Sequence, residues 1–128
     1  MRRMTALALV VACGRTAPTP AEIAERSWRA HEVVIRAGED APSCPAAGAA
    51  MQAAFATHRQ AFVDGLALDQ DKERLAEAIT YLEQHGERYR TLETRMAALS
   101  DRCGADPSVA AAFRQMEAPS GTAQSKAP

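Results

Sequence analysis

The sequence predicts an all-α protein, a small antiparallel helical bundle with one long helix over about 69–103. Three observations carry that prediction. Alanine crowds the chain, whose residues are 47% hydrophobic yet only 5% aromatic, and no run alternates Val, Ile, Thr or aromatic side chains as a half-buried strand would. Wherever large apolar residues recur, they do so every three or four positions, the spacing of one helix face. Helix-start signals precede those periodic stretches.

The first helix is announced by Thr19-Pro20-Ala21-Glu22. Thr stands at the N-cap, Pro at the first helical position and Glu three residues after the cap, which is a capping box with its favoured proline. Ile23, Ser27, Ala30 and Val34 form its stripe, widened by Trp28 and Ile35, and Gly38 is placed to end it after Ala37. A loop over 39–47 carries Cys44. The second helix spans about 46–65, with Met51, Phe55, His58, Phe62 and Leu66 on one face and Asp64-Gly65 ending or bending it. Asp69 caps the long third helix. Its stripe runs from Leu75 through Ile79, Leu82, Gly86, Tyr89, Leu92, Met96 and Leu99 to Cys103, 28 residues in eight steps. That is the bundle-like period of about 3.5. After Gly104, Asp106-Pro107 opens a short fourth helix over 107–117 with Val109, Phe113 and Met116 on one side. Residues 118–128 are poor in apolar side chains and are expected to be a disordered tail. Short connections make sequential helices antiparallel neighbours.

The N-terminus reads as an address. Arg2 and Arg3 precede a nine-residue apolar run, Met4–Ala12. A membrane-spanning helix needs about 20 such residues, so the pattern is that of a secretory signal. Its last residues, Val10-Val11-Ala12-Cys13, resemble the lipobox of bacterial lipoproteins, a resemblance confined to residues 1–13. In that family a diacylglycerol joins the cysteine thiol and the signal is then removed, so the resemblance implies a signal peptide over 1–12, acyl chains (palmitate or similar) on Cys13, and a tether over 13–18 leading to a helical domain over 19–117. Gly14, where an aspartate would retain such proteins at the inner membrane, implies the outer membrane, facing the periplasm. Of the three cysteines, lipidation of Cys13 leaves Cys44 and Cys103 to pair, as exported proteins allow. Closing that loop is worth about 4 kcal/mol in the chain-entropy model. The pairing sets a geometric condition. A second helix of about 20 residues is roughly 30 Å long and a third of about 34 roughly 51 Å. Cys44 therefore reaches Cys103 only if the third helix breaks or kinks near His85-Gly86, or if residues 44–47 run along the overhang.

Little in the chain points to chemistry. The formal net charge of −1 argues against a nucleic-acid partner. His31, His58 and His85 follow Trp28, Phe55 and Leu82 by three positions, so the E-x-x-H pair of di-iron bundles is missing, and His31-Glu32 begins no H-E-x-x-H. Asp69, Asp71, Glu73 and Glu77 crowd the start of the third helix and Arg88, Arg90, Arg95 and Arg102 its second half, a distribution that suits the helix dipole. No catalytic or metal-binding residues are assigned, and no cofactor. The 22 large apolar side chains beyond Cys13 predict a narrow seam with little room for a sizeable ligand pocket. The expected function is non-enzymatic, an interaction or structural module tethered to the envelope by its lipid, with a protein partner unidentified. Two alternatives stand beside it. One is a small periplasmic bundle binding haem or a metal, with Met51, Met96, Met116 and His58 near its inner stripes. The other is an inhibitor or immunity-type protein of the envelope.

Overall fold

The computed structural model describes residues 16–119. The lipobox-like segment and Cys13 lie outside them, as does the tail beyond Pro119. The described residues fold into five helices: α1 (Pro20–Glu39), α2 (Cys44–Asp69), α3 (Lys72–Gln84), α4 (Gly86–Cys103) and α5 (Pro107–Glu117). There is no strand among the described residues.

Two of the expected caps, Thr19 and Asp106, are in place. Thr19 Oγ1 accepts the Glu22 amide at 3.2 Å while the Glu22 carboxylate accepts the Thr19 amide at 3.3 Å. Asp106 Oδ1 accepts the amides of Ser108 and Val109 at 2.9 and 3.4 Å, satisfying donors that the first turn of α5 would otherwise leave open. The Ser108 hydrogen bond holds the Asp106 carboxyl below its ordinary pKa.

The bounds of the first three expected helices differ from the sequence reading. The first helix does not stop at Gly38; it continues to Glu39 with Asp40 as its cap. Gly38 is buried inside the helix, where a Cβ would stand 2.8 Å from both Leu99 Cδ2 and Met51 Sδ. Its small size permits close packing there rather than a left-handed turn. The second helix begins at Cys44, capped by Ser43 Oγ on the Ala46 amide, and passes straight through Asp64-Gly65 to Asp69. Gly65 lies against α1, its absent Cβ 2.7 Å from Ser27 Oγ. The stretch expected as one long helix divides into two at His85, whose backbone (φ −113°, ψ 27°) leaves the helical region. Asp71, rather than Asp69, caps its start through the Arg74 amide.

Contacts give the topology. Gly38 meets Met51, His31 meets Phe62 and Ser27 meets Gly65, so α1 and α2 run antiparallel. The Gln52 side-chain amide reaches the Ser108 carbonyl at 3.0 Å and Arg59 Nε the Pro119 carbonyl at 2.8 Å, so α5 runs parallel to α2. Arg74 bonds the Pro18 carbonyl, Tyr81 the Glu25 carboxylate and Arg95 the Glu39 carboxylate, each pair 56 residues apart. The α3–α4 arm therefore lies alongside α1 in parallel, in one register from end to end. This is up-down-up-down topology with the third strut broken. The break, together with the early start of α2, meets the geometric condition: Cys44 and Cys103 form a disulfide, with Cα atoms 5.3 Å apart.

A helix of 11 residues is about 16 Å long and one of 26 about 39 Å, so α5 covers less than half of α2. Among the described residues there are four helices in cross-section at the disulfide end and three at the other. The buried residues accordingly fall into two groups. The larger includes Trp28, Val34, Ile35, Met51, Phe62 and Leu99. The smaller consists of Ile23, Ala24, Leu68 and Ala78, with Tyr81 and Leu82 packed against it.

Candidate ligand cleft

Between the two groups, where α5 ends, lies a half-enclosed cleft of about 390 Å³. That volume falls in the range of small-molecule sites, which are mostly apolar with a few polar groups. The narrow seam expected from the apolar residue count is therefore corrected. The number of apolar side chains was adequate, but the short fourth helix leaves part of the groove between α1–α2 and α3–α4 without a cover.

Every helix contributes to the lining. Leu66, Leu82, Leu92, Met96, Phe113 and Met116 form most of the apolar wall. Trp28 and His31 come from α1, one turn apart, and both face the cleft. Trp28 is only 7% exposed, and its indole N–H has no acceptor among the described residues. The Arg88 guanidinium covers one face of the ring, 3.3 Å from its centroid, a cation–π contact. Arg88 is held there by Glu25 at 3.5 Å, and Glu25 also accepts from Arg29 at 2.8 Å and from the Tyr81 hydroxyl. Burial raises the Glu25 pKa, but the hydrogen bonds from Tyr81 and Arg29 and the charge of Arg88 together outweigh it and leave the carboxyl below its ordinary value. The same Glu25 bond pushes the Tyr81 hydroxyl up. Through this one carboxylate α3 and α4 are both tied to α1.

His31 Nδ1 stands 2.7 Å from the Ser27 carbonyl, and the ring packs on Phe62 with centroids 4.5 Å apart. Burial holds the imidazole below its ordinary pKa, more than the Ser27 contact raises it. Nδ1 must carry the proton that the carbonyl accepts, so in the neutral ring Nε2 is an acceptor. His85 makes the same local bond, Nδ1 to the Tyr81 carbonyl at 2.9 Å, and stacks on Tyr81. His58 is half-buried on α2. The three histidines are thus spread over α1, α2 and the α3–α4 break. Among the described residues no three His, Cys, Asp or Glu side chains come together as a metal-ligand set.

At the open side of the cleft the charge is of one sign. Among the described residues, Asp69, Glu93 and Glu117 are the charged groups of the lining, and neither Lys nor Arg joins them. Asp69, the last residue of α2, and Tyr89 and Glu93 of α4 all border the cleft, and the Tyr89 hydroxyl is pushed up, first by burial and then by the negative charge of Glu93 and Asp69.

Asp69 and the Arg88–Arg102 series suit the helix dipole in the sequence, but Asp69 also borders the cleft and Arg88 covers Trp28. No local signal brings Glu25, Tyr81, Arg88 and Trp28 together, because separations of 56 and 63 residues follow only from the parallel register of the arm with α1. The described residues thereby form an all-α, disulfide-closed bundle with a partly open apolar cleft. No family model, curated protein or solved structure matches the chain.

Proposed function

We propose that this protein is a lipid-anchored component of the bacterial cell envelope, held at the outer membrane facing the periplasm through acyl chains on Cys13, and that it works by binding rather than by catalysis. The observation that carries this reading is the Cys44–Cys103 disulfide. Such bonds persist in oxidising compartments and are rare in the cytosol. The pair consumes two of three cysteines and leaves Cys13, the residue that ends Val10-Val11-Ala12-Cys13. Among the described residues no helix is long and apolar enough to cross a membrane, so attachment by this route rests on the lipid. Two or more acyl chains at about 0.8 kcal/mol per buried CH₂ hold a small domain stably.

An intact-mass measurement on protein extracted from membranes tests the proposal. The expected species lacks residues 1–12, carries acyl mass on its new N-terminus and is two protons lighter than the dithiol. A Cys13→Ser variant should move from the membrane to the soluble fraction. Native protein that keeps Met1 and three reactive thiols would overturn the reading.

A further inference from the structure

We propose that the cleft between α1–α2 and α3–α4 is a binding site for a small amphiphilic amine, a ligand with an apolar body and one ammonium group. This goes beyond membrane attachment and does not depend on it.

The half-enclosed cleft of about 390 Å³ is bordered by residues of both buried groups, and its wall is apolar enough to take hydrocarbon. Leu66, Leu82, Met96 and Phe113 offer that wall. The polar rim then selects the head group. Asp69, Glu93 and Glu117 supply three carboxylates, and no cation among the described residues opposes them in the lining. The Tyr89 ring stands with Asp69 and Glu93 at the mouth, and a phenol face beside carboxylates attracts an ammonium. Arg88, which covers one face of Trp28, is already engaged there and by Glu25. An anionic amphiphile would bring its charge against the same three carboxylates, and a neutral one would leave them unmatched. The ammonium therefore sits at the mouth and the apolar body lies inward, beside Trp28.

Trp28 is the only tryptophan of the chain, so its emission reports occupancy directly. The test uses the full chain carrying Cys13→Ser, which removes the acyl chains as competitors, titrated with octylammonium, octanol and octanoate at neutral pH below their micellar concentrations. A saturable change in Trp28 emission is expected, with octylammonium at least about tenfold tighter than octanoate and octanol between them. A single opposite charge at 4 Å in water changes affinity about fivefold, and reversing its sign doubles that effect in free energy. Asp69 and Glu93 are exposed, so Asp69→Asn with Glu93→Gln leaves the buried wall untouched. It should bring the ammonium-to-carboxylate ratio within about threefold while octanol binding stays as it was. Equal affinity for all three probes, tighter binding of octanoate, or a ratio unchanged in the double variant would overturn the assignment. So would the absence of any saturable response in both Trp28 emission and amide chemical shifts.

Discussion

At the disulfide end α5 lies against α2 so closely that a Cβ on Gly48 would fall 1.9 Å from Ser108 Oγ. Beside it the Arg95 guanidinium grips the Glu39 carboxylate through two nitrogens, holding that carboxyl below its ordinary pKa, and Cys44 is bonded to Cys103. At the other end the arm bends at His85, and α4 starts with no side-chain cap. There Ile79 and Tyr89 remain 45% and 41% exposed, and α3 has Ala78 as its only buried residue. The first region is made by small residues and a covalent bond, the second by a few polar ties to Glu25. Rigidity at one end is what permits an uncovered groove at the other: local openings draw on regions with few buried contacts, while the global fold is held elsewhere.

The largest expected effect comes from cutting the staple. Cys103→Ser should lower unfolding free energy by about 4 kcal/mol, the chain-entropy value for a loop of this size, read by urea titration with and without reductant. Reductant should reproduce the loss in the native chain and do nothing further to the variant. A loss confined to a fraction of that, with the midpoint insensitive to reductant, would mean that packing of α5 on α2 holds this end without the bond.

The two glycines at opposite ends sharpen the contrast, because the same change should act in opposite directions. Gly48→Ala places a methyl against Ser108 side chain and backbone, at 1.9 to 2.6 Å, and should destabilise by about 1–3 kcal/mol as core overpacking does. Gly86→Ala meets only the flexible end of Arg90, at 3.5 Å. It should stabilise by up to about 1 kcal/mol through helix propensity and reduced chain entropy. Thermal melts of the two variants would show the signs. Destabilisation by Gly86→Ala would mean that the bend needs glycine, and the broken arm would then be a conformational requirement rather than a weak point.

Local rules made much of this legible. The caps at Thr19 and Asp106, the bounds of α5 and the Cys44–Cys103 pairing all follow from signals within a few residues or from counting. The failures at Gly38 and Gly65 have one cause. Glycine near the end of a periodic stretch reads as a terminator, whereas here both glycines let α1 and α2 approach, which depends on Met51, Leu99 and Ser27 standing opposite. The cleft was hidden for a related reason. Its existence depends on the length of α5 against α2 and on a register of 56 residues between α1 and the arm, and neither is a property of any one segment.

The smallest effect concerns His31, which joins the two regions because its ring lies in the cleft yet packs on Phe62 of the larger core group. Its pKa in the folded chain is depressed, chiefly by burial, while in the unfolded chain it titrates near 6.5. Between those two values the unfolded state binds more protons, so stability rises with pH across that window. It is fully present above about 6.5 and is lost as pH falls toward the lower folded value, below which it changes no further from this residue. His31→Phe removes the titrating group while keeping a ring against Phe62, and the stability difference between native chain and variant should therefore vary with pH only over that window. Urea midpoints at pH 5, 6, 7 and 8 would measure it. A difference that stayed constant with pH would mean that water reaches His31 through the cleft and solvates the charged ring, making the groove wetter than its apolar wall suggests.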